Sequence, residues 1–414
     1  MAEYLVLTQK VGGSTPSLPA IIKEIIIMLV QKSLRIHVLG IPHTRTNLDY
    51  VACAYTQKVY KFCKMMTERG HRVYHYGVEG SNPICTENIV VVSNEVYNRV
   101  YGDYDYRSTF FRYDINDECY QTFFKNAIKE IRKRNYNKDI VLPFGGGWVK
   151  PICDALQDEC IIIEPGIGYG SGSWAEFKVF ESYSIYSAYC GTESINYCQQ
   201  NYYHVVIPNY FDPEDFSVNL NARNQNVSDR YFLYLGRVYD GKGVHIAIQI
   251  CEKLGVKLKI AGQLGTEYAQ YEWPKNVEFM GYANRDKRNE LMRNAIASFL
   301  PSQYLEPFGG VQIENLLCGT PTITSDWGAF AENNIHGVTG YRCRTFDDYL
   351  NAAIDCLEGK IDSRNCYKQG LKFTLEKIAP QYEKFFNDVR NLYFGEGWKQ
   401  VSPQTQNRIN NLNK

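Results

Sequence analysis

The stretch EPFGGVQIENLLCGTP (Glu306–Pro321) decides the reading of this chain. It sets two carboxylates, Glu306 and Glu314, on either side of a glycine-rich turn, with seven residues between them. The apolar run ASFLPS (297–302) before it reads as a buried strand, and the run after Gly310 has the length and apolar spacing of a helix. Gly309 and Gly310 leave backbone N–H groups bare at that helix's N-terminus, where free donors and the helix dipole hold an anion such as phosphate. Glu314 lies four residues past Gly310, shares that face and leans back toward the helix start. One carboxylate on the loop and one on the first turns of the helix then face the same cleft. Acceptor oxygens for hydroxyls, with amides for a diphosphate between them, suit a sugar nucleotide. The plainer alternative is that any strand–turn–helix unit has such glycines and that a helix glutamate is merely solvated, so the surrounding residues must decide.

Working outward, strands and helices alternate from residue 34 onward, which calls for parallel sheets with crossover helices. LRIHVLG (34–40), HRVYHYG (71–77), IVVVSN (89–94), DIVLPFG (139–145), CIIIEPG (160–166), SIYSAYC (184–190) and YYHVVIP (202–208) read as strands. Residues 47–70, 121–134 and the segment ICDALQDE read as helices between them. The Asn-rich stretch 217–230 reads as a linker. A second series follows, with strands YFLYLG (231–236), VKLKIAG (256–262), NVEFMG (276–281), ASFLPS and TPTITS (320–325). The expected architecture is α/β, with two doubly wound Rossmann-like domains facing a central cleft. Its parts are an appendage (1–33), a first domain (34–216), the linker, a second domain (231–385), and a C-terminal helix with a frayed polar tail (386–414).

Ligands of open α/β sheets bind at the carboxyl ends of the strands. In the second half that place is taken by GRVYDGKGVHIAIQI (236–250), where Arg237 and Lys242 flank a turn entering a helix near Gly243. A guanidinium and an ammonium there can grip two phosphate oxygens, with the helix start adding partial positive charge. Backbone near Gly262 and Tyr282, at the carboxyl ends of VKLKIAG and NVEFMG, is placed to meet a nucleotide base. In the first half, the loop GIPHTRTNLD (40–49) directs His43, Thr44, Arg45 and Thr46 at the cleft, and His43 is the most plausible titratable group of the seven histidines. The glycines of PFGGGWVK (143–150), Gly146 among them, admit a ligand closely. EPGIGYGSGSW (164–174) does not complete G-x-G-x-x-G, since position 171 is serine, so a nicotinamide site is rejected. The DYD triplet (Asp103–Asp105) has no context for a metal site and is read as chance.

The string Glu, Pro-Phe-Gly turn, Glu, Cys-Gly-Thr-Pro, together with Gly-Arg…Lys-Gly, resembles the signature of the retaining glycosyltransferases of the large family four, which have the GT-B fold. The resemblance covers residues 34 to about 390, strongly in the second half and loosely in the first. It implies that Arg237 and Lys242 neutralise the departing diphosphate, that Glu306 contacts donor sugar hydroxyls, and that Glu314 binds the ribose. By the same resemblance, amides around Phe308, Gly309 and Gly310 hold sugar and phosphate, and the loop with His43, Thr44 and Arg45 makes phosphate and acceptor contacts. Anomeric configuration is retained, and with Arg237 and Lys242 in place no metal and no cofactor is called for. One departure stands out: many relatives carry a sugar-contacting histidine near EPGIGY, where this chain has Glu164 and Pro165. Glu164 is a weak candidate for that role.

Composition is consistent with this reading. The 45 basic and 45 acidic residues cancel, so no nucleic-acid partner is indicated. Thirteen cysteines without a CxxC pair point to reduced thiols and a cytoplasmic setting. No secretory signal is evident at the start. The segment IIKEIIIMLV (21–30) is too short to span a bilayer and reads first as a packed helix, second as a peripheral membrane contact. The expected activity is metal-independent, retaining transfer of a sugar from a UDP- or GDP-linked donor to a saccharide, lipid or protein acceptor. A catalytically silent sugar-nucleotide binder and a sugar-nucleotide epimerase of the same architecture are the alternatives.

Overall fold

The computed structural model describes residues 33–169, 172–193, 201–220 and 230–412. The segment 21–30 and most of the expected linker (221–229) lie outside the described residues. Two sheets form, and every strand pair in both is parallel. The first holds β1 (Arg35–Leu39), β2 (Arg72–Val78), β3 (Glu87–Val92), β4 (Ile140–Pro143), β5 (Ile161–Ile167), β6 (Phe177–Phe180) and β7 (His204–Val206), in the order β3-β2-β1-β4-β5-β6-β7. The second holds β8 (Phe232–Leu235), β9 (Leu258–Ala261), β10 (Val277–Phe279), β11 (Ser298–Leu300), β12 (Thr322–Ser325) and β13 (Gly340–Cys343), in the order β10-β9-β8-β11-β12-β13. Helices cover both faces, so the central strands are buried on both sides and read as unbroken apolar runs such as IVLP and FLYL.

In each sheet the strand order reverses at one place, between β1 and β4 in the first and between β8 and β11 in the second. A crevice opens at such a switch point because the flanking loops diverge to opposite faces. The loops after β1 and β4 carry His43 and Trp148, and those after β8 and β11 carry Arg237 and Glu306. The topology therefore aims these four residues at one cleft.

The crossover helices of the first domain are α1 (Ala54–Glu68), α2 (Asn94–Tyr101), α3 (Glu118–Arg134), α4 (Lys150–Leu156) and α5 (Tyr183–Glu193). The second domain carries α6 (Val244–Leu254), α7 (Arg285–Arg293), α8 (Gly310–Leu317), α9 (Phe330–Asn333), α10 (Phe346–Glu358) and α11 (Ser363–Gly370). Two more follow, α12 (Leu375–Phe394) and α13 (Pro403–Leu412).

Several expectations need correction. SIYSAYC is not a strand but part of α5, because its N-terminus is capped twice. Ser182 Oγ accepts from the Ile185 N–H at 3.2 Å, and Glu332 of the second domain accepts from Tyr183 N at 3.0 Å and Ser184 N at 2.7 Å. FKVF, as β6, takes the sheet position instead. Helix α1 starts at Ala54 rather than at 47, since Asn47 closes a local turn by accepting from the Asp49 N–H at 3.0 Å.

The domain boundary also moves. The apolar face of α12 packs into the core of the first domain, with Tyr382 5.3 Å from Phe62 and with Ile378, Phe385 and Phe386 buried beside it. Glu383 fixes that return by accepting from Arg69 Nε at 2.6 Å and His71 Nε2 at 2.9 Å. Residues 375–385 thus belong with the first domain, not the second. The two chain crossings run side by side, joined by Phe211 N to Phe373 O (2.9 Å) and Leu375 N to Phe211 O (3.0 Å). Residues 217–219 lie on the second domain rather than between domains, for Asn219 N donates to Cys318 O at 3.0 Å. In the tail, α13 is a helix with no buried residue, where fraying was expected.

Candidate functional site

The second domain builds its wall of the cleft from three loops pressed together. Lys242 Nζ donates to Glu306 Oε2 at 2.7 Å, and Ser302 Oγ donates to the same oxygen at 3.0 Å. Glu306 is only 7% exposed, so its charge is matched by these two donors in a partly dry setting. Two glycines make the approach possible. Gly243 has φ +70°, and a Cβ there would lie 2.1 Å from Pro301 O. Gly328 has φ +62°, and a Cβ there would lie 2.7 Å from Glu306 N. Ala329 N then donates to Glu306 O at 2.9 Å, pinning the loop from behind.

Around this pair, the Lys242 ammonium sits 4.8 Å above the Tyr304 ring, and burial beside Glu306 pushes the Tyr304 phenol up. The exposed Arg237 guanidinium lies 5.7 Å from the Tyr239 ring and 5.4 Å from that of Phe110. Phe308 is an anchor, 2% exposed and stacked 6.2 Å from Phe211, so its side chain holds the turn while its backbone borders the cavity. Gly309 is the N-cap of α8, and no side chain caps the helix there. On the next turn Glu314 pairs with Arg288 of α7. Gly262, Tyr282, Gly309, Gly310 and Glu314 all line a cavity of about 950 Å³ shared with Arg237, Lys242 and Glu306.

The first domain differs from expectation. His43 does line the cavity, but it is 2% exposed inside an aromatic cage. Its Nδ1 is 2.7 Å from Tyr120 Oη, and its ring lies 5.4 Å from Trp148 and 5.5 Å from Tyr113. Burial lowers its pKa to about 3, so it is neutral at physiological pH and can only offer or accept a hydrogen bond. Thr44, Arg45 and Thr46 do not face the cleft. Thr44 Oγ1 bonds Ile41 O and Thr56 Oγ1, and Thr46 Oγ1 bonds His75 Nε2 at 2.9 Å. Arg45 is spent on Glu79 O, Tyr50 Oη and Asn94 Oδ1 while stacking 4.2 Å from the Tyr97 ring. Short polar side chains after β1 find backbone partners locally before they reach the cavity.

Gly146 lies against the Tyr169 phenol, outside the cavity lining. Glu164 is fully buried and accepts from Tyr169 Oη, Ser173 Oγ (2.9 Å), Trp174 N (3.1 Å) and Ala175 N (3.2 Å). It organises its own loop and does not line the cavity that Glu306 borders, which argues against a sugar contact there. In the DYD triplet, Asp103 pairs with Arg112 and Asp105 accepts from Arg107 N at 3.0 Å in a turn.

Six cavity-lining charges escaped the sequence reading: Lys58, Lys61 and Glu181, and with them Asp215, Arg285 and Arg288. Lys58 and Glu181 form a buried ion pair, with Lys58 Nζ also donating to Gly166 O at 3.2 Å. Burial raises the Glu181 pKa, Lys58 opposes that, and Glu306 across the cleft adds to it. The Lys61 ammonium lies 4.2 Å above the Phe211 ring, its pKa lowered by burial and partly restored by Glu314 and Asp215. A signal existed, since both lysines interrupt the buried face of α1 between Val59, Phe62 and Cys63. Buried lysines on an apolar stripe are rare without a partner or a role.

The two walls are tied together. Gln263 Nε2 donates to Tyr106 O (2.5 Å) and Thr109 O (2.9 Å), Tyr282 Oη to Asp49 O (3.2 Å), and Ser182 Oγ to Pro307 O (2.6 Å). Cationic side chains and helix-start amides on one wall and a neutral histidine among aromatic rings on the other form a site suited to an amphipathic ligand with an anionic end.

Comparison with known proteins agrees with this arrangement. Residues 216–373 match the family of glycosyl transferases group 1. The glycogen synthase of Mycobacterium tuberculosis is 36% identical over 141 residues, which is 30% of this chain and 33% of that protein. The match therefore spans about 33% of the relative's length. Among solved structures, AviGT4, a glycosyltransferase involved in Avilamycin A biosynthesis, superposes with a TM-score of 0.64 at 20% identity, over 88% of this chain and 100% of that one. Anabaena HepE in complex with UDP-glucose gives a TM-score of 0.63 at 13% identity, over 86% and 99%. These two likenesses fix the fold. The chain thus has the GT-B fold, and its segment 216–373, which carries Arg237, Lys242, Glu306 and Glu314, matches the glycosyl transferases group 1.

Proposed function

We propose that this protein is a metal-independent, retaining glycosyltransferase that takes a sugar from a UDP- or GDP-linked donor. The observation that carries the reading is the Lys242–Glu306 contact at 2.7 Å, beside Arg237 and the uncapped start of α8. Breaking the sugar–phosphate bond leaves negative charge on the β-phosphate oxygens. Fixed cations and amides at that position lower the barrier because they need not reorganise. Arg237, Lys242 and the α8 amides serve this purpose, with Glu306 on the sugar hydroxyls and Glu314 on the ribose. The acceptor oxygen attacks the anomeric carbon as the bond to the diphosphate breaks, and the acceptor's proton passes to a leaving phosphate oxygen. The UDP-glucose complex of the Anabaena protein supports a nucleotide-sugar donor.

The described cysteines are free thiols, and on that ground we place the reaction in the cytoplasm. Among the described residues, no helix is long and apolar enough to cross a membrane. The test is a thermal-shift panel of UDP, GDP, ADP and their common sugar conjugates, each with and without EDTA. Selective stabilisation by one nucleotide that EDTA leaves unchanged is the expected result. Cooperative melting with no stabilisation by any of them would remove the donor site.

A further inference from the structure

Charge in the cavity does not balance among its own side chains. Every carboxylate that borders it is held by a cation: Glu181 by Lys58, Glu306 by Lys242, Glu314 by Arg288 and Asp215 by Arg285. Two bordering cations are left over, Arg237 on the second domain and Lys61 on α1 of the first. Among the described residues, neither has a carboxylate within ion-pair reach, and each lies against aromatic rings instead. Arg237 is exposed, so water solvates its guanidinium. Lys61 is buried, and an unpaired ammonium out of water costs free energy until an anion meets it.

Position identifies that anion. The Lys61 ammonium stands 4.2 Å above the Phe211 ring, and the edge of the same ring reaches the start of α8. A Cβ on Gly310 would lie 3.6 Å from Phe211 Cζ. No side chain caps α8 there, so the ammonium and the free amides of the helix start meet at one ring from opposite domains. The carboxylates around Lys61 bracket the same place. Glu314, at the proposed ribose end, and Asp215 favour its charged form against burial, while Lys58 and Arg288 oppose it. Lys61 acts in turn on Glu181, which also feels Glu306 at the proposed sugar end. Between a ribose and a sugar lies the diphosphate, whose two negative charges match the two unpaired cations. We infer that Lys61 is a third cation on the donor's diphosphate, supplied by the first domain, so that both walls grip the nucleotide at once. As the sugar leaves, charge grows on the terminal phosphate, and an ammonium already fixed in a dry site stabilises it without reorganising.

This inference rests on the donor site proposed above, and the test separates the two. UDP, UMP, GDP and GMP are titrated into the full-length wild type, Lys61→Met and Arg237→Ala. Methionine keeps the apolar stem of lysine and removes a buried ion, so the fold should hold. Melting temperatures check this, and Lys61→Gln is read in its place should the Met variant fail to fold. The diphosphate that binds the wild type should be weakened about tenfold or more in Lys61→Met. Its monophosphate, which lacks the terminal phosphate, should lose clearly less, and kcat with the matching sugar nucleotide should fall. Unchanged diphosphate affinity in Lys61→Met overturns the inference, and a loss in Arg237→Ala on the same samples leaves the donor site standing. A monophosphate loss equal to or larger than the diphosphate loss overturns it too, since a lysine that only supports the wall would disturb the whole nucleotide. Failure of every nucleotide to bind the wild type overturns the donor reading, and the assignment of Lys61 with it.

Discussion

The two walls of the cleft have the same topology but were not equally readable. On the second-domain wall, Arg237, Lys242, Glu306 and Glu314 all border the cavity their motifs implied. On the first-domain wall, Thr44, Arg45, Gly146 and Glu164 turn into the scaffold, and the cavity is faced instead by His43, Lys58 and Glu181. The difference is backbone. The second wall depends on loops pressed so close that only glycine fits, and glycine spacing survives in sequence. The first wall depends on side chains choosing between a local partner and the cavity, and sequence does not record that choice.

Substitutions should separate the two walls. Lys242→Ala should cut turnover by about 10²–10³-fold, as loss of one preorganised charge-stabilising donor does. A steady-state assay with the donor that the thermal-shift panel selects checks it, and an unchanged rate would remove the electrostatic mechanism. Gly243→Ala strikes the same wall through its backbone, placing a Cβ 2.1 Å from Pro301 O at φ +70°. It should destabilise the protein by about 1–3 kcal/mol or more, read from denaturant midpoints, and weaken nucleotide binding with it. Glu314→Ala should weaken nucleotide binding by about 1–3 kcal/mol while leaving the fold intact, since Arg288 regains solvent. Calorimetric titration measures this, and unchanged affinity would sink the ribose assignment.

The first wall should answer differently. Glu164→Gln should lower the melting temperature yet leave nucleotide affinity within about twofold, because its four contacts all lie in its own loop. A large loss of affinity would restore Glu164 to the site. Acid sensitivity belongs to this wall too. Burial lowers His43 to about 3 and His75 to about 4, below the unfolded value of 6.5. In that window the unfolded chain binds the extra protons, so stability is full above about pH 6.5 and is lost as pH falls toward 4. Melting temperature from pH 7.5 to 4.5 should fall accordingly, and His43→Gln should flatten the slope.

The fold was legible from alternating runs, since strands buried on both faces leave unbroken apolar strings. It failed where a short apolar run fits either state. SIYSAYC became helix α5 because Glu332, 139 residues beyond the helix's last residue Glu193, caps its N-terminus. The return of α12 to the first core was equally hidden, for an amphipathic helix does not state which core it covers. The motif of the second domain pointed to residues that do line the cavity, Arg237, Lys242, Glu306 and Glu314, while Glu181 follows a strand whose string, FKVF, names no chemistry.

On the function proposed here, the second-domain wall binds a nucleoside diphosphate through Arg237 and Lys242. Titrating UDP and GDP into the wild type, the Arg237→Ala/Lys242→Ala double variant and Tyr113→Ala tests it most directly. One nucleotide should bind the wild type and Tyr113→Ala alike, with or without EDTA, and lose at least tenfold in affinity for the double variant. Equal affinity for the double variant and the wild type would contradict it.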